Sequence, residues 1–515
     1  MPWSAEFNDA CARGERITIE VEFFELAAGS STPGTPILIE HDYLSSFRTR
    51  MRSIEPGSFR AELGGWGFTL VSSTPARFIK ALERGGFIAG YGVTRSGLRE
   101  RIEFGRILTT KRSQTGGLDI EVLDGFGSLQ SRPSVDTVQT LGLFSDLDQN
   151  SGVTDLTANY DTSTTTMTVD DTAGFLQDSD PAVLTGALRL TPGPDGGPTL
   201  RTAWTSSTST TFTVDPTDPI TTGYPSPDEV IAQAGTKVKS LALLRGHPAD
   251  IMTKILVSPS GATILSDFAT YPSRWGFSLW DDLIDRGDIN EHQRLVAVAA
   301  GYEWSILIEN TIANPASWMS ETLSPAGLAM VTRQGSLTIR AARSPWTDDY
   351  PSGYEITDND LMEVQLSYYD DQALAVYGGV RMSGPTVSDR GTRADGNAVD
   401  TLPGVEWNER ALPWAYPSKG TENDMLDETI DRLLPLLTRT PERILARCIG
   451  RRLAPLALLD SVLLTSSRLI GRREARLGGG ARFDRRPCLV MGAAVEWIRA
   501  GGSVTLELNS WPEPG

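Results

Sequence analysis

Cysteine and histidine are both scarce, with three of each in 515 residues. Cys11, Cys448 and Cys488 form an odd, widely spaced set. That excludes a disulfide framework and fits a chain folded in a reducing compartment. His41, His247 and His292 match none of the HExxH or Cys/His spacings that bind zinc. His247 precedes Pro248 at an expected helix start and reads as a cap or turn. Long hydrophobic runs are absent too. No stretch of ~18 apolar residues occurs, so no helical membrane span is expected. Residues 1–20 show no basic start followed by an apolar run, so no secretory signal is expected either. Positive charge is the minority, 47 Lys and Arg against 65 Asp and Glu, for a net −18. Such a chain repels phosphate as a whole, which argues against a free DNA-binding enzyme. It does not argue against a protein past which DNA slides.

Catalytic signatures are missing as well. No GxSxG marks a serine nucleophile. Cys448 and Cys488 lie among arginines, which could lower a thiol pKa, but no paired base accompanies them. With 65 acids some carboxylate pair always looks feasible, so their number is no evidence for a glycosidase. Glu303 beside Trp304, and Asp281-Asp282 beside Trp280, are the places to check, against the plainer reading of a solvated strand end and helix face. Asp146, Asp148 and Asn150 imitate the start of a calcium loop, but Ser151 and Thr157 stand where glycine and glutamate belong. Arg286-Gly287-Asp288 is the adhesion tripeptide by letters only and reads as a helix end. Gly478–Gly480 lacks the Lys-Ser/Thr of a phosphate loop. No catalytic, cofactor-binding or metal-binding residues are assigned.

What is present is strand pattern in several blocks. At about 100–200 residues per domain the length implies three or four domains. Ile17, Ile19, Val21 and Phe23 alternate with polar residues, as a half-buried strand does. Residues 101–110 and 118–123 flank a Gly-rich turn and read as a hairpin, with one helix near 75–84 before them. Residues 150–245 are rich in Thr and Ser, and TTTMTVDDT (Thr164–Thr172) is echoed by STTFTVDPT (Ser209–Thr217). One echo is too few for a repeat array and reads as two similar strands of one small β domain. From Pro248 a helix is expected, then a strand at 303–308, a helix near 317–323 stopped by Ser324-Pro325, and a hairpin over 327–340. Thr421 is an expected N-cap, and Pro435 is expected to kink or end the helix it opens. Thr440-Pro441-Glu442 reads as the start of a second helix reaching residue 449. Val504, Leu506 and Leu508 return to strand spacing, and residues 439–486 are rich in arginine. The fold class is therefore β-rich α+β. Its expected divisions are 1–149, an inserted β domain at 150–245, an α+β middle domain at 246–345, and a second β domain at 346–515 with helices near 421–449.

The order of these segments resembles the baseplate hub proteins of phage tails and the related hubs of gene transfer agents. Residues 246–340 carry most of the likeness, above all the hairpin Gly327–Arg340, with LDIEVLDGFGSL (Leu118–Leu129) second. The 150–245 insert lies outside it. The resemblance implies two barrel-like tube domains per chain, with three chains closing a pseudo-sixfold ring that continues the tail tube and passes DNA. It implies a virion location at the tail tip after assembly in the host cytoplasm. Implied partners are copies of the chain, a distal tail protein, and other tail-tip, baseplate or fibre proteins, with no cofactor. The arginine-rich zone is a candidate dock for an acidic neighbour, and charge reversal at Arg472 and Arg473 should then weaken assembly. Two alternatives stay open. One is a receptor- or carbohydrate-binding tail protein, suggested by the Thr-rich insert and 12 Trp. The other is a β-rich glycosidase or esterase.

Overall fold

The computed structural model describes residues 3–24, 36–62, 64–83, 86–112, 117–128, 153–161, 164–172, 175, 184–191, 200–219, 230–257, 283–295, 304–308, 315–346, 353–368, 379–383, 392–394, 407–411, 422–439, 441–469, 483–498 and 502–511.

Helix α1 (Ala5–Ala12) is capped by Ser4, whose hydroxyl accepts the Phe7 N–H. Strands β1 (Thr18–Phe24), β2 (Ile37–Ile39), β3 (Leu44–Thr49), β4 (Arg52–Ser53) and β5 (Gly65–Leu70) follow, then α2 (Ala76–Glu83). Next come β6 (Phe87–Val93), β7 (Arg99–Arg112), β8 (Leu118–Asp124) and the single turn α3 (Gly125–Ser128). The insert contributes β9 (Val153–Asp155), β10 (Tyr160–Asp161), β11 (Thr166–Thr168), β12 (Leu184–Thr191), β13 (Leu200–Ser207), β14 (Thr211–Pro219), β15 (Val230–Ala232) and β16 (Lys237–Gly246). The middle segment holds α4 (Pro248–Val257), α5 (Arg286–Leu295), β17 (Trp304–Ile308), α6 (Pro315–Leu323), β18 (Leu328–Arg333) and β19 (Ser336–Ala341). The last segment holds β20 (Tyr354–Ile356), β21 (Leu361–Tyr368), β22 (Gly379–Ser383), β23 (Thr392–Ala394), β24 (Trp407–Ala411) and α7 (Glu422–Leu437). It ends with β25 (Glu442–Ile449), β26 (Ser461–Ser466), β27 (Phe483–Glu496) and β28 (Ser503–Ser510).

Alternation decides most of these strands. Ile19, Val21 and Phe23 of β1 are buried while the residues between them are half-exposed. The strand pairs β6 in antiparallel register from Thr18–Val93 to Phe24–Phe87. Phe47, Trp66 and Phe68 meet behind β3 and β5, with Phe47 and Trp66 centroids 5.1 Å apart, so aromatic area anchors this core.

The first and last segments share one sheet. Its order runs β2-β1-β6-β7-β8-β5-β3-β27-β28-β25-β21, so strands from opposite ends of the chain are neighbours. A single apolar cluster backs it, from Trp3 and Phe7 to Leu506 and Trp511. The resemblance led us to expect two barrel-like domains. Among the described residues no closed barrel occurs, and the strands of both ends run into one open sheet.

The insert has a second core of its own, built on Leu156, Met167, Trp204, Phe212 and Val214. The sequence echo lands here as two strands of one sheet. β11 and β14 pair antiparallel, and the equivalent residues Met167 and Phe212 face each other.

One other detail differs from expectation. Residues 442–449 form strand β25 rather than a second helix. Ile444, Ala446 and Cys448 are buried while Arg443, Leu445, Arg447 and Ile449 are exposed, and this period of two overrides the Pro441-Glu442 start signal. Proline before a strand costs nothing, because no ladder donor is needed there. Pro435 sits in the last turn of α7, which ends at Leu437. The RGD tripeptide lies at a helix end, the start of α5.

Candidate functional site

The hairpin β18–β19 is the point on which the rest converges. Eleven of its twelve strand residues are buried, and Arg333 is the partial exception. Its two-residue turn, Gln334-Gly335, has φ of 49° and 71°, as the right-handed twist of the flanking strands demands. Gly335 is required twice over, since a Cβ there would press to 3.0 Å from Arg101 Cγ and 3.2 Å from the Glu103 backbone nitrogen.

Each face of the hairpin is tied to a different part of the chain. At the tip, Gln334 Oε1 accepts the Trp3 N–H at 2.7 Å, and its Nε2 donates to the Pro455 carbonyl at 3.2 Å. Arg101 donates to Ser336 Oγ at 3.1 Å. Along the shaft, Arg340 makes a fork to Asp288, Nε to Oδ2 at 2.9 Å and Nη2 to Oδ1 at 2.8 Å. Its Nη1 reaches Asp460 Oδ1 at 2.7 Å and the Leu458 carbonyl at 3.1 Å. Thr338 donates to Asp288 at 2.6 Å, and Arg333 lies 3.2 Å from both Asp285 and Asp288. Asp285 also caps α5 by accepting the Asp288 N–H. At the base, Arg432 of α7 donates to the carbonyls of Ala342, at 2.7 Å, and Ala326.

Burial opposes charge on Asp288. Arg340 and Arg333 win, holding its carboxyl far below the usual carboxylate range. The same burial is overcome on Arg340 by Asp460 and Asp288, which raise its pKa. Arg432 is pulled down to about 10, by burial first and then by Arg410 and Arg343, with Glu428 opposing.

His292 belongs to the same cluster. Its Nδ1 accepts the Ala341 N–H at 3.2 Å, which requires a neutral ring. Burial, then Arg340, lowers its pKa to about 4 against the opposing pull of Asp288 and Asp460. The folded state therefore disfavours protonation. Stability is complete above the unfolded histidine pKa of about 6.5 and falls as pH drops from there toward 4, by on the order of 3 kcal/mol. His292→Gln, whose amide oxygen can still accept from Ala341, is expected to remove this slope in urea midpoints measured from pH 4 to 7.

A second buried knot lies in the first half of the sheet. Arg52 bonds Glu103 through Nη2 at 2.5 Å and Nη1 at 3.2 Å, and Asp124 through Nε at 2.9 Å. Asp124 in turn accepts the Gly127 N–H and fixes the turn of α3.

The residues singled out in the sequence take other places. His41 accepts the Ile19 N–H, and His247 accepts the Ala249 N–H at the start of α4. All three cysteines are free and buried. Burial pushes each thiol up to about 12, so the neighbouring arginines do not activate Cys448 or Cys488. A thiol reagent at pH 7 is expected to find no fast-reacting cysteine in the native chain and three after denaturation. Asp288 of the RGD tripeptide is locked to Arg340. Arg443, Arg452, Arg468, Arg485 and Arg486 of the basic zone all meet carboxylates of this same chain, at Glu507, Asp360, Asp358, Glu355 and Glu442. Asp146, Asp148, Asn150, Trp280, Asp281, Asp282, Glu303, Arg472, Arg473 and Gly478–Gly480 lie outside the described residues. Among the described residues no group of three or more His, Cys, Asp or Glu could hold a metal ion. No described helix is long and apolar enough to cross a membrane. The insert's Tyr160, Phe175, Trp204 and Phe212 are core residues.

No protein-family model matches the chain, and no curated protein sequence matches it. Among the solved structures it resembles are tail proteins and a gene transfer agent virion. A tail protein from Neisseria meningitidis MC58 is 9% identical, covering 96% of this chain and 97% of that one, with a TM-score of 0.40. The 43 kDa tail protein of prophage MuSo2 from Shewanella oneidensis is 10% identical over 95% and 97%, with a TM-score of 0.36. Prophage tail protein gp18 from Listeria monocytogenes EGD-e is 11% identical over 95% and 94%, with a TM-score of 0.39. Similarity at this level assigns the chain to no family.

The two ionic knots were missed in the sequence. Their signal was a charged residue set among apolar strand neighbours, as Glu103 is between Ile102 and Phe104, and Arg340 after Ile339.

Proposed function

We propose that the chain is a structural subunit of a phage tail tip, a hub whose copies close a ring that continues the tail tube and leaves a passage for DNA. One observation carries the reading: strands from both ends of the chain form one sheet, backed by a core on one side and open on the other. Two solvent-facing ion pairs stand in this sheet, Arg50 with Glu121 at 2.6 Å and Arg443 with Glu507 at 2.7 Å. Arg48 stands opposite Glu496 in the β3–β27 register, with Gly67 next in the row. Charge balanced in this way weakens the basic field that passing phosphates would meet. The segment order that resembles hub proteins supports the same reading. So does the spending of buried charge on fixing segments together.

Native mass spectrometry of the full chain, alone and with the tail-tip proteins encoded beside it, tests this. A closed ring of identical copies, three in the simplest case, is expected. A chain that stays monomeric with every neighbour would end the proposal.

A further inference from the structure

The two halves of the main sheet meet over a short stretch. β3 and β27 share the single pair Arg48–Glu496, and β4 adds Arg52–Ala493 and Ser53–Gly492. β25 and β28, by comparison, are paired without a break from Glu442–Ser510 to Ile449–Ser503. Between the two short pairings a side chain replaces the ladder, with the Val495 N–H donating to Thr49 Oγ1 at 2.6 Å. Trp497 N–H to the Phe47 carbonyl, at 3.0 Å, and Ile54 N–H to the Met491 carbonyl, at 2.8 Å, complete the seam.

Behind the seam lies a cavity of ≈ 30 Å³, room for about one water. Thr49, Arg52 and Glu103 line it from the first half, Val495 and Trp497 from the second, and Gln334 from the hairpin tip. Its walls are largely polar, so contact here is carried by isolated polar groups rather than by a continuous ladder. Gln334 spans the seam, holding Trp3 on one side and Pro455 on the other. Trp3 meets Trp497 edge-on at 5.8 Å.

We infer that this seam is a hinge and Gln334 its latch: the halves part here as units, with neither half unfolding. Isolated polar bonds open at lower free energy than continuous ladders, and such units open below the global threshold. The hinge stands on the seam geometry whether or not the chain closes a ring.

Amide hydrogen exchange on the full chain, resolved to single residues, tests it. The Ile54, Val495 and Trp497 amides should exchange together, ahead of the β25–β28 ladder amides. Gln334→Ala should speed those three by ~10-fold, the loss of one to two hydrogen bonds, and leave the β25–β28 amides unchanged. Thr49→Val, which removes the bridging hydroxyl from the other side, should act on the same three and serves if Gln334→Ala does not fold. Seam amides that exchange in step with β25–β28 in the unaltered chain would exclude the hinge. A variant that speeds all amides equally would exclude the latch.

Discussion

Arg340→Met is expected to cost about 3–5 kcal/mol, the range for removing one partner of a buried ion pair. Methionine fills similar space, so the loss is electrostatic rather than a cavity. Asp288 would keep Thr338 and Arg333 but lose both prongs of the Arg340 fork, while Asp460 would lose its buried partner. The pH dependence should change with it. Asp288 titrates far below its unfolded value, so its contribution is present above about pH 4 and is lost as pH falls below that. In Arg340→Met that acid-side loss should shrink, because the neutral carboxyl is then the better buried form. Adding Asp288→Asn should recover part of the loss. Urea midpoints of the single and double variants check this, and strictly additive effects would show that the pair does not couple.

Arg52→Met is expected to cost a similar ~3–5 kcal/mol at pH 7, with the acid response shifted to higher pH. Glu103 is buried, and burial already raises its pKa even with Arg52 beside it and Asp124 adding to the rise. Without the guanidinium the carboxyl goes higher still. A carboxyl raised above its unfolded pKa contributes stability that is full below that value and lost as pH rises through the folded one. The variant should therefore be closest to the parent near pH 4–5 and fall behind it toward pH 8, the same direction as Arg340→Met but in a higher pH window, because Glu103 starts raised where Asp288 starts depressed. A deficit that does not depend on pH would mean that packing, not charge, is what Arg52 supplies.

The contrast between these knots and the rest shows where sequence reading works. The hairpin β18–β19 is legible because Arg333-Gln334-Gly335-Ser336 is a strong local turn between apolar runs, and the structure forms it with both central residues at positive φ. The echo in the insert is legible for the same reason, since each copy carries its own strand alternation. Residues 440–449 show the limit. Pro-Glu is a helix start in one context and a strand entry in another. The alternation of Ile444, Ala446 and Cys448 decides only once a buried face exists for them to meet. The basic zone shows it again. Arg452 and Arg486 read as free positive charge, yet their partners Asp360 and Glu442 arrive from distant positions in the chain.

The sequence by itself determined the local periods: which residues alternate, where turns break them, that the chain is β-rich, and that the familiar catalytic and metal spacings are missing. These follow from neighbours a few residues apart, whose geometry the backbone sets. The tertiary structure alone decided that the two ends share one sheet, that Arg340 and Arg52 are buried among carboxylates, and that Gln334 bolts the seam. Those facts depend on which distant groups are desolvated together, and no local pattern records that.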